Sequence, residues 1–310
     1  MPENTQEKII VTHNASFHAD DVFAVATLLL SMSQGSAQGQ SVKVIRTRDP
    51  EEIAAAHYVV DVGGIYDPAT NRFDHHQKGG AGKRDNGIPY AAFGLVWKHI
   101  GQVVCNNDMD LWQKIDTDLV CGIDANDNGF DISKNLIEGV FPASLSLNFM
   151  IEKPTWEERS NDDQMYERFM HAVVKAKFFL ERYITVQLAS IKAKREIKAT
   201  YEASQHKAII IFPHDYERVN FMQTLAVLPE IIFFIYPNHS GTWTAETVPV
   251  GEGSFEKRKP FPEAWAGLSG EALVAASGVP DAYFCHNGRF VAYATSEEGA
   301  INLAKIALES

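Results

Sequence analysis

Short runs rich in β-branched residues alternate with stretches of helical periodicity through roughly the first 150 residues, the pattern of an α/β domain on a largely parallel sheet. Lys8–Thr12 (KIIVT), Val42–Arg46 (VKVIR) and Tyr58–Val62 (YVVDV) read as strands. Between the first two, Asp20–Met32 reads as a helix, and Asp20 and Asp21 are carboxylates suited to its N-terminus. Pro89–Ile100 is expected to be helical with Gly101 as its stop, and Met109–Ile123 to be a helix ending in the polar string DANDNG.

From Asp162 to Ser204 the chain has no Pro or Gly and reads as one long helix or two nearly continuous ones, a natural connector between domains. Apolar runs follow at Ala208–Phe212 and Ile231–Tyr236, then an alternating GTWTAETVPV (241–250) and a hairpin-like AYFCHNGRFVAYAT (282–295). Helices expected at Gly270–Ser277 and Ser296–Leu308 complete a smaller α/β unit. The division predicted is therefore 1–160, a helical linker at 161–205, and 206–310, with no internal repeat.

Composition fits this picture. A chain of 310 residues and 34.5 kDa is expected to hold two domains, and 45% hydrophobic with 22% charged residues excludes disordered and fibrous classes. The net charge of −12 argues against a broad basic surface for nucleic acid, but allows a local basic cleft and a surplus of carboxylates that a bound cation would offset. Cys105, Cys121 and Cys285 are odd in number and far apart, which suits buried thiols in a reducing compartment. The start lacks the marks of a secretory or transit leader, and the apolar run Val22–Leu30, interrupted by Thr27, is too short to span a bilayer. A cytoplasmic protein without a membrane partner is expected, and a homo-oligomer is left open.

Four polar strings fall where loops would emerge from these elements: THNASFHADD (12–21), VVDVGG (59–64), FDHH (73–76) and GIDANDNG (122–129). Ligand sites in open α/β sheets form at the carboxyl ends of strands, so His13, His18, Asp20, Asp61, His75 and Asp124 are expected to converge. Singly, each has an ordinary reading as a cap, a turn former or a surface histidine. Jointly they form an imidazole and carboxylate set without thiolate, suited to Mn²⁺, Mg²⁺ or Fe²⁺ rather than to a closed structural zinc. Six candidates are too many for one tetrahedral ion, whereas Asp61 bridging two ions would use them all.

These strings resemble the DHH phosphoesterase superfamily, and within it the melanocyte-proliferating-gene (MYG) family of metal-dependent exonucleases. The similarity rests on HNASFHADD, DVGGIYDPATNRFDHHQKG, IDANDNG, KPTW (153–156) and AWAGLSGEAL, and DVGG-to-DHHQ is the most specific of them. It implies a DHH-type catalytic domain with a parallel sheet, a long helical linker and a smaller C-terminal substrate-binding domain. It also implies two divalent ions, Mn²⁺ first and Mg²⁺ as the alternative. One ion would take His13, His18 and Asp61, and the other Asp20, Asp61, His75 and Asp124. Asp74 would orient the neighbouring imidazole, and His76 would face the substrate phosphate. His18 stands where the wider superfamily commonly has Asp, a mark of the MYG branch.

The activity expected is phosphodiester hydrolysis, as a 3′–5′ exonuclease on RNA or short oligonucleotides. His286, Arg289, Arg258 and Lys259 are the substrate contacts expected in the second domain, and Lys78, Lys83, Arg84 and Lys257 are further basic candidates. The alternatives are a phosphatase or diesterase for small nucleotides and a metal-binding regulatory protein without turnover. A peptidase or amidohydrolase ranks lower, because no H-E-x-x-H string occurs.

Overall fold

The computed structural model describes residues 7–34, 41–133, 152 and 154–310; Lys153 of the KPTW string lies outside them. The chain divides into two compact units, Met1–Leu188 and Ala189–Ser310.

The first unit is built on β1 (Lys8–Thr12), which pairs in parallel with β2 (Val42–Arg46) on one side and β3 (Tyr58–Val60) on the other. Beyond β3 come β5 (Arg72–Phe73), also parallel, and the antiparallel edge strand β4 (Tyr66–Asp67), giving the order β2-β1-β3-β5-β4. The loops after Thr12, Val60 and Phe73 therefore leave the sheet at the same end. β3 is two residues shorter than expected, because Asp61 turns into the left-handed region at φ 55° and ends the extended path.

Helix α1 (Ala19–Gln34) is buried over most of its length and packs against α3 (Ala92–Val104), with Phe23 and Phe93 rings 5.4 Å apart. The expected stop at Gly101 is not used. A Cβ there would come within 2.6 Å of the Trp97 indole, so the glycine makes room for that ring inside a helix that continues to Val104. A short helix α2 (Pro50–Ala55) was not expected: six residues carry too little periodicity to declare it, although Asp49 accepts from the Glu51 and Glu52 N–H groups and Pro50 opens the first turn. The helix expected over 109–123 also runs further. α4 (Met109–Ile115) passes through a π-turn at Asp116–Val120 into α5 (Cys121–Asp127), so most of DANDNG is helix rather than loop.

The long helix α6 spans Asp162–Ala203, as its composition requires, and the division between units falls inside it. Its first part lends Phe169, Val173 and Leu180 to the first unit's core, where Phe169 meets Phe17 edge-on at 5.5 Å. Its last turns lend Ile197 and Tyr201 to the second unit.

The second unit is a sheet of order β6-β7-β8-β10-β9. β6 (Ile209–Ile211) and β7 (Phe233–Pro237) are parallel and joined through α7 (Arg218–Leu225). β8 (Trp243–Thr247), β9 (Ala282–Cys285) and β10 (Val291–Ala294) add antiparallel, the last two as the expected hairpin. Alternation along β7 sorts Phe233 and Ile235 toward Leu273 of α8 (Gly270–Ser277) and Leu303 of α9 (Glu297–Glu309), and Phe234 and Tyr236 toward Phe221 of α7. Among the described residues no helix is long and apolar enough to cross a membrane. Cys105 and Cys285 are buried, Cys121 is half-buried, and all three are free thiols.

Candidate metal centre

The loops leaving β1, β3 and β5 bring His13, Asp61 and His75 to one point. Asp61 uses its two oxygens in different directions: Oδ2 lies 3.3 Å from His13 Nε2, and Oδ1 lies 3.3 Å from His75 Nε2. His13 Nε2 is also 3.3 Å from Asp21 Oδ2, and His75 Nε2 is 3.3 Å from Asp127 Oδ2. Three overlapping ligand groups result among the described residues, His13–Asp21–Asp61, Asp20–His75–Asp127 and Asp61–His75–His76, each with its donor atoms within 4.8 Å of one another.

The backbone around these side chains is specialised. Asp61 at φ 55° is followed by Gly63 and Gly64 at φ 93° and 66°, a left-handed turn that Asp tolerates better than most residues and that costs of order 1–3 kcal/mol. Asp20, fully buried, accepts the Ala92 and Phe93 N–H groups at the start of α3, at 3.0 and 2.7 Å. Asp21 accepts the His18 N–H at 2.9 Å through Oδ1, which leaves Oδ2 for His13. Asp74 accepts the Gly64 N–H through Oδ2, while its Oδ1 accepts the His76 N–H and lies 2.8 Å from His76 Nδ1. The His76 ring is mostly exposed and sits 4.3 Å from that of His75.

Charge is unbalanced here. Burial, with Asp61, Asp127 and Asp124 nearby, pushes Asp20 well above the usual carboxylate range. Burial opposes ionisation of Asp61, but His13 and His75 outweigh it and hold its carboxyl below that range. Burial disfavours the His13 imidazolium, yet Asp21 and Asp61 raise its pKa to about 10, and His75 moves the same way beside Asp61. Asp21 Oδ2, Asp61 Oδ1 and His75 Nε2 are buried without a hydrogen-bond partner among the described residues. Orphaned ligand atoms and surplus buried carboxylate charge, with no thiolate, fit a divalent cation.

Of the six ligands expected from sequence, His13, Asp20, Asp61 and His75 fall within these groups. His18 stands at the edge, its side chain 58% exposed and its Nδ1 3.9 Å from Asp127 Oδ1. Asp124 is turned elsewhere: it is fully buried, pairs with Arg84 Nη1 at 2.5 Å through Oδ2 and accepts the Gly94 N–H at 3.0 Å through Oδ1. Its neighbour Asp127, one turn further along α5, joins the cluster instead. Asp21 also joins it, and sequence offered only the adjacent pair ADD as a signal, which reads equally well as helix-terminal charge.

The basic residues expected against substrate are placed as follows. Arg84 is buried, its Nε and Nη2 on Asp116 and its Nη1 on Asp124, which makes it a brace between the post-DHH loop and the α4–α5 helix rather than a cleft wall. Arg258 donates to the carbonyls of Ala226, Leu228 and Ile231, and Lys259 Nζ to that of Leu308 at 2.7 Å, so both close backbone ends inside the second unit. His286 is exposed and its Nδ1 accepts the Gly288 N–H, while Arg289, at φ 54°, turns the β9–β10 hairpin and reaches the Phe261 carbonyl at 3.4 Å. Lys257 Nζ lies 5.8 Å from the centre of the Phe290 ring.

A cleft of about 810 Å³ opens on the cluster, lined at one end by His13, Asp61, Asp74, His76 and Asp127.

Residues 9–308 match the family model MYG1_exonuc, described as Uncharacterised protein family (UPF0160). The human protein named MYG1 exonuclease is 29% identical over 343 aligned residues, covering 99% of this chain and 89% of that protein. MYG1 proteins of Schizosaccharomyces pombe and Chlamydia trachomatis are 30% and 31% identical and cover 97% and 94% of this chain, with the same shares of their own lengths. A solved structure of RecJ in complex with Mn²⁺ from Thermus thermophilus overlaps 98% of this chain and 52% of that one at 12% identity, with a TM-score of 0.28, too low to bear on the site. On the match over residues 9–308, the chain belongs to the MYG1 family, UPF0160.

Proposed function

We propose that this protein is a metal-dependent phosphodiester hydrolase that trims RNA or short oligonucleotides from an end, and that the side chains grouped around Asp61 would hold two divalent ions. The observation that carries the reading is the split use of Asp61, whose Oδ2 faces the His13 and Asp21 group and whose Oδ1 faces the His75 and Asp127 group. The name exonuclease carried by mammalian members of the family supports the reaction class.

His13, Asp21 and Asp61 would hold one ion, and Asp20, His75 and Asp127 the other, with Asp61 Oδ1 beside His75. When bound, the pair would supply a water of lowered pKa and positive charge against the phosphate oxygens. The remaining work falls to the chain. Asp20 is fixed by two backbone N–H groups at the start of α3, so its carboxylate is held before any ligand arrives. Asp74 fixes His76 through Nδ1, which leaves Nε2 of an exposed ring on the cleft wall to hydrogen-bond a phosphate oxygen or to supply a proton to the leaving oxygen.

The test offers the purified protein, with Mn²⁺, bis-p-nitrophenyl phosphate, end-labelled oligoribonucleotides and oligodeoxyribonucleotides. Release of mononucleotides from one end is expected, and no turnover on any of them would sink the proposal. Elemental analysis is expected to find two ions per chain.

A further inference from the structure

The cleft beside the metal centre has two unlike halves. One carries the imidazoles and carboxylates already described. The other is walled by Pro50, Ile53 and Ala54 of α2 and by Val62 and Ile65 of the turn after β3, with Arg48 on the rim. Hydrolysis at phosphorus makes no use of such an apolar wall, and Ile65 is 55% exposed there, outside the core.

The wall is built to stay in place. Asp49 caps the start of α2 by accepting from Glu51 N–H at 2.8 Å, and Arg72 Nη2 gathers the carbonyls of Ile53, Ala54 and Ala56 at its end, at 3.5, 3.4 and 3.0 Å. Arg72 belongs to β5, two residues before Asp74, so the strand that delivers the DHH string also ties down the apolar wall. Arg48 is anchored through Nη1 to the Asn14 carbonyl at 2.8 Å, next to His13. Phosphate-seeking groups and an apolar surface thus share one cavity of about 810 Å³, within the usual range for small-molecule sites.

We infer that the apolar half of this cleft seats the base of the terminal nucleotide, while its phosphate lies toward His76 and the metal centre. The inference rests on the phosphodiesterase reading and adds to it a base subsite made by α2 and Ile65. The wall's side chains at Pro50, Ile53, Ala54, Val62 and Ile65 have no hydrogen-bonding group, and Arg72 is committed to backbone carbonyls. The apolar wall therefore takes all four bases with similar strength, because none of its side chains reads a base edge.

The experiment measures Kd of the full chain with Mn²⁺ for the four ribonucleoside 5′-monophosphates and for ribose 5-phosphate, which lacks the base. The nucleotides are expected to bind about tenfold more tightly than ribose 5-phosphate, the effect of burying roughly 60 Å² of apolar surface. Ile65→Asn, and independently Ala54→Gln on the exposed side of α2, which add polarity without charge beside the phosphate, are expected to abolish that advantage while leaving the Kd of ribose 5-phosphate and the metal content unchanged. Equal Kd values in the unaltered protein, no binding of any of the phosphates, or a base advantage that survives both substitutions would overturn the inference. Turnover of bis-p-nitrophenyl phosphate by the unaltered protein reads the catalytic proposal separately. Turnover without a base advantage removes the subsite alone, and a base advantage without turnover removes the catalytic reading alone.

Discussion

Asp127 Oδ2 stands 3.3 Å from His75 Nε2, whereas Asp124, three residues earlier on the same helix, is paired with Arg84. Two carboxylates on neighbouring turns of α5 therefore have separate work. Asp127→Ala is expected to lower bound metal by at least one ion per chain in a folded protein. Asp124→Asn is expected to keep the metal and to lose stability, of order 3–5 kcal/mol, because the buried Arg84 charge loses a partner. Elemental analysis and urea unfolding of both variants check this, and a full metal complement in Asp127→Ala would refute the assignment.

Asp61→Asn keeps the side-chain shape and the tolerance for a left-handed backbone but removes the charge shared by two ligand groups. Metal and turnover are expected to disappear together while the circular dichroism spectrum is unchanged. A folded variant with two ions and normal turnover contradicts the bridging role.

Asp74→Asn acts through His76, whose Nδ1 lies 2.8 Å from Asp74 Oδ1. Turnover is expected to fall by about 10–100-fold, the usual size of such an effect, with metal content kept. Steady-state kinetics beside metal analysis separate this outcome from simple loss of the ions.

Gly94 lies where a Cβ would come within 1.8 Å of Asp124 Oδ2. Gly94→Ala is expected to destabilise the protein by about 1–3 kcal/mol through overpacking, read as a lower urea midpoint. An unchanged midpoint would mean that α3 and α5 are not in close contact there.

Arg258→Met tests a residue that its position in a basic triplet presents as a substrate contact. Its donors serve three backbone carbonyls, so stability is expected to fall by about 1–3 kcal/mol for each carbonyl left dry, while KM for an oligonucleotide stays within about twofold. A raised KM at unchanged stability would restore it to the binding surface.

These contrasts show what sequence can and cannot carry. β1 and β2 were legible to the residue, because short β-branched runs bounded by polar loops have one reading. The meeting of His13, Asp61 and His75 was legible because each follows a strand that parallel pairing lines up with its neighbours. The choice between Asp124 and Asp127 was not, since both are acidic positions three apart. The π-turn at Asp116–Val120 shifts the phase of the helix that carries them, and nothing in the local pattern announces it. Arg84, Arg258 and Lys259 show a related limit: charge is visible in a sequence, but whether it meets solvent, a carboxylate or a carbonyl depends on distant segments.

The left-handed backbone of Asp61 restricts what a genetic code can write at that codon. Glutamate would keep the charge but brings a longer chain to a conformation it adopts reluctantly. Alanine fails both demands, and glycine satisfies the backbone alone. Asparagine satisfies backbone and shape but not charge. A saturation library selected first for folding and then for metal retention should therefore narrow in two steps, first toward enrichment of Gly, Asn and Asp, and then to aspartate.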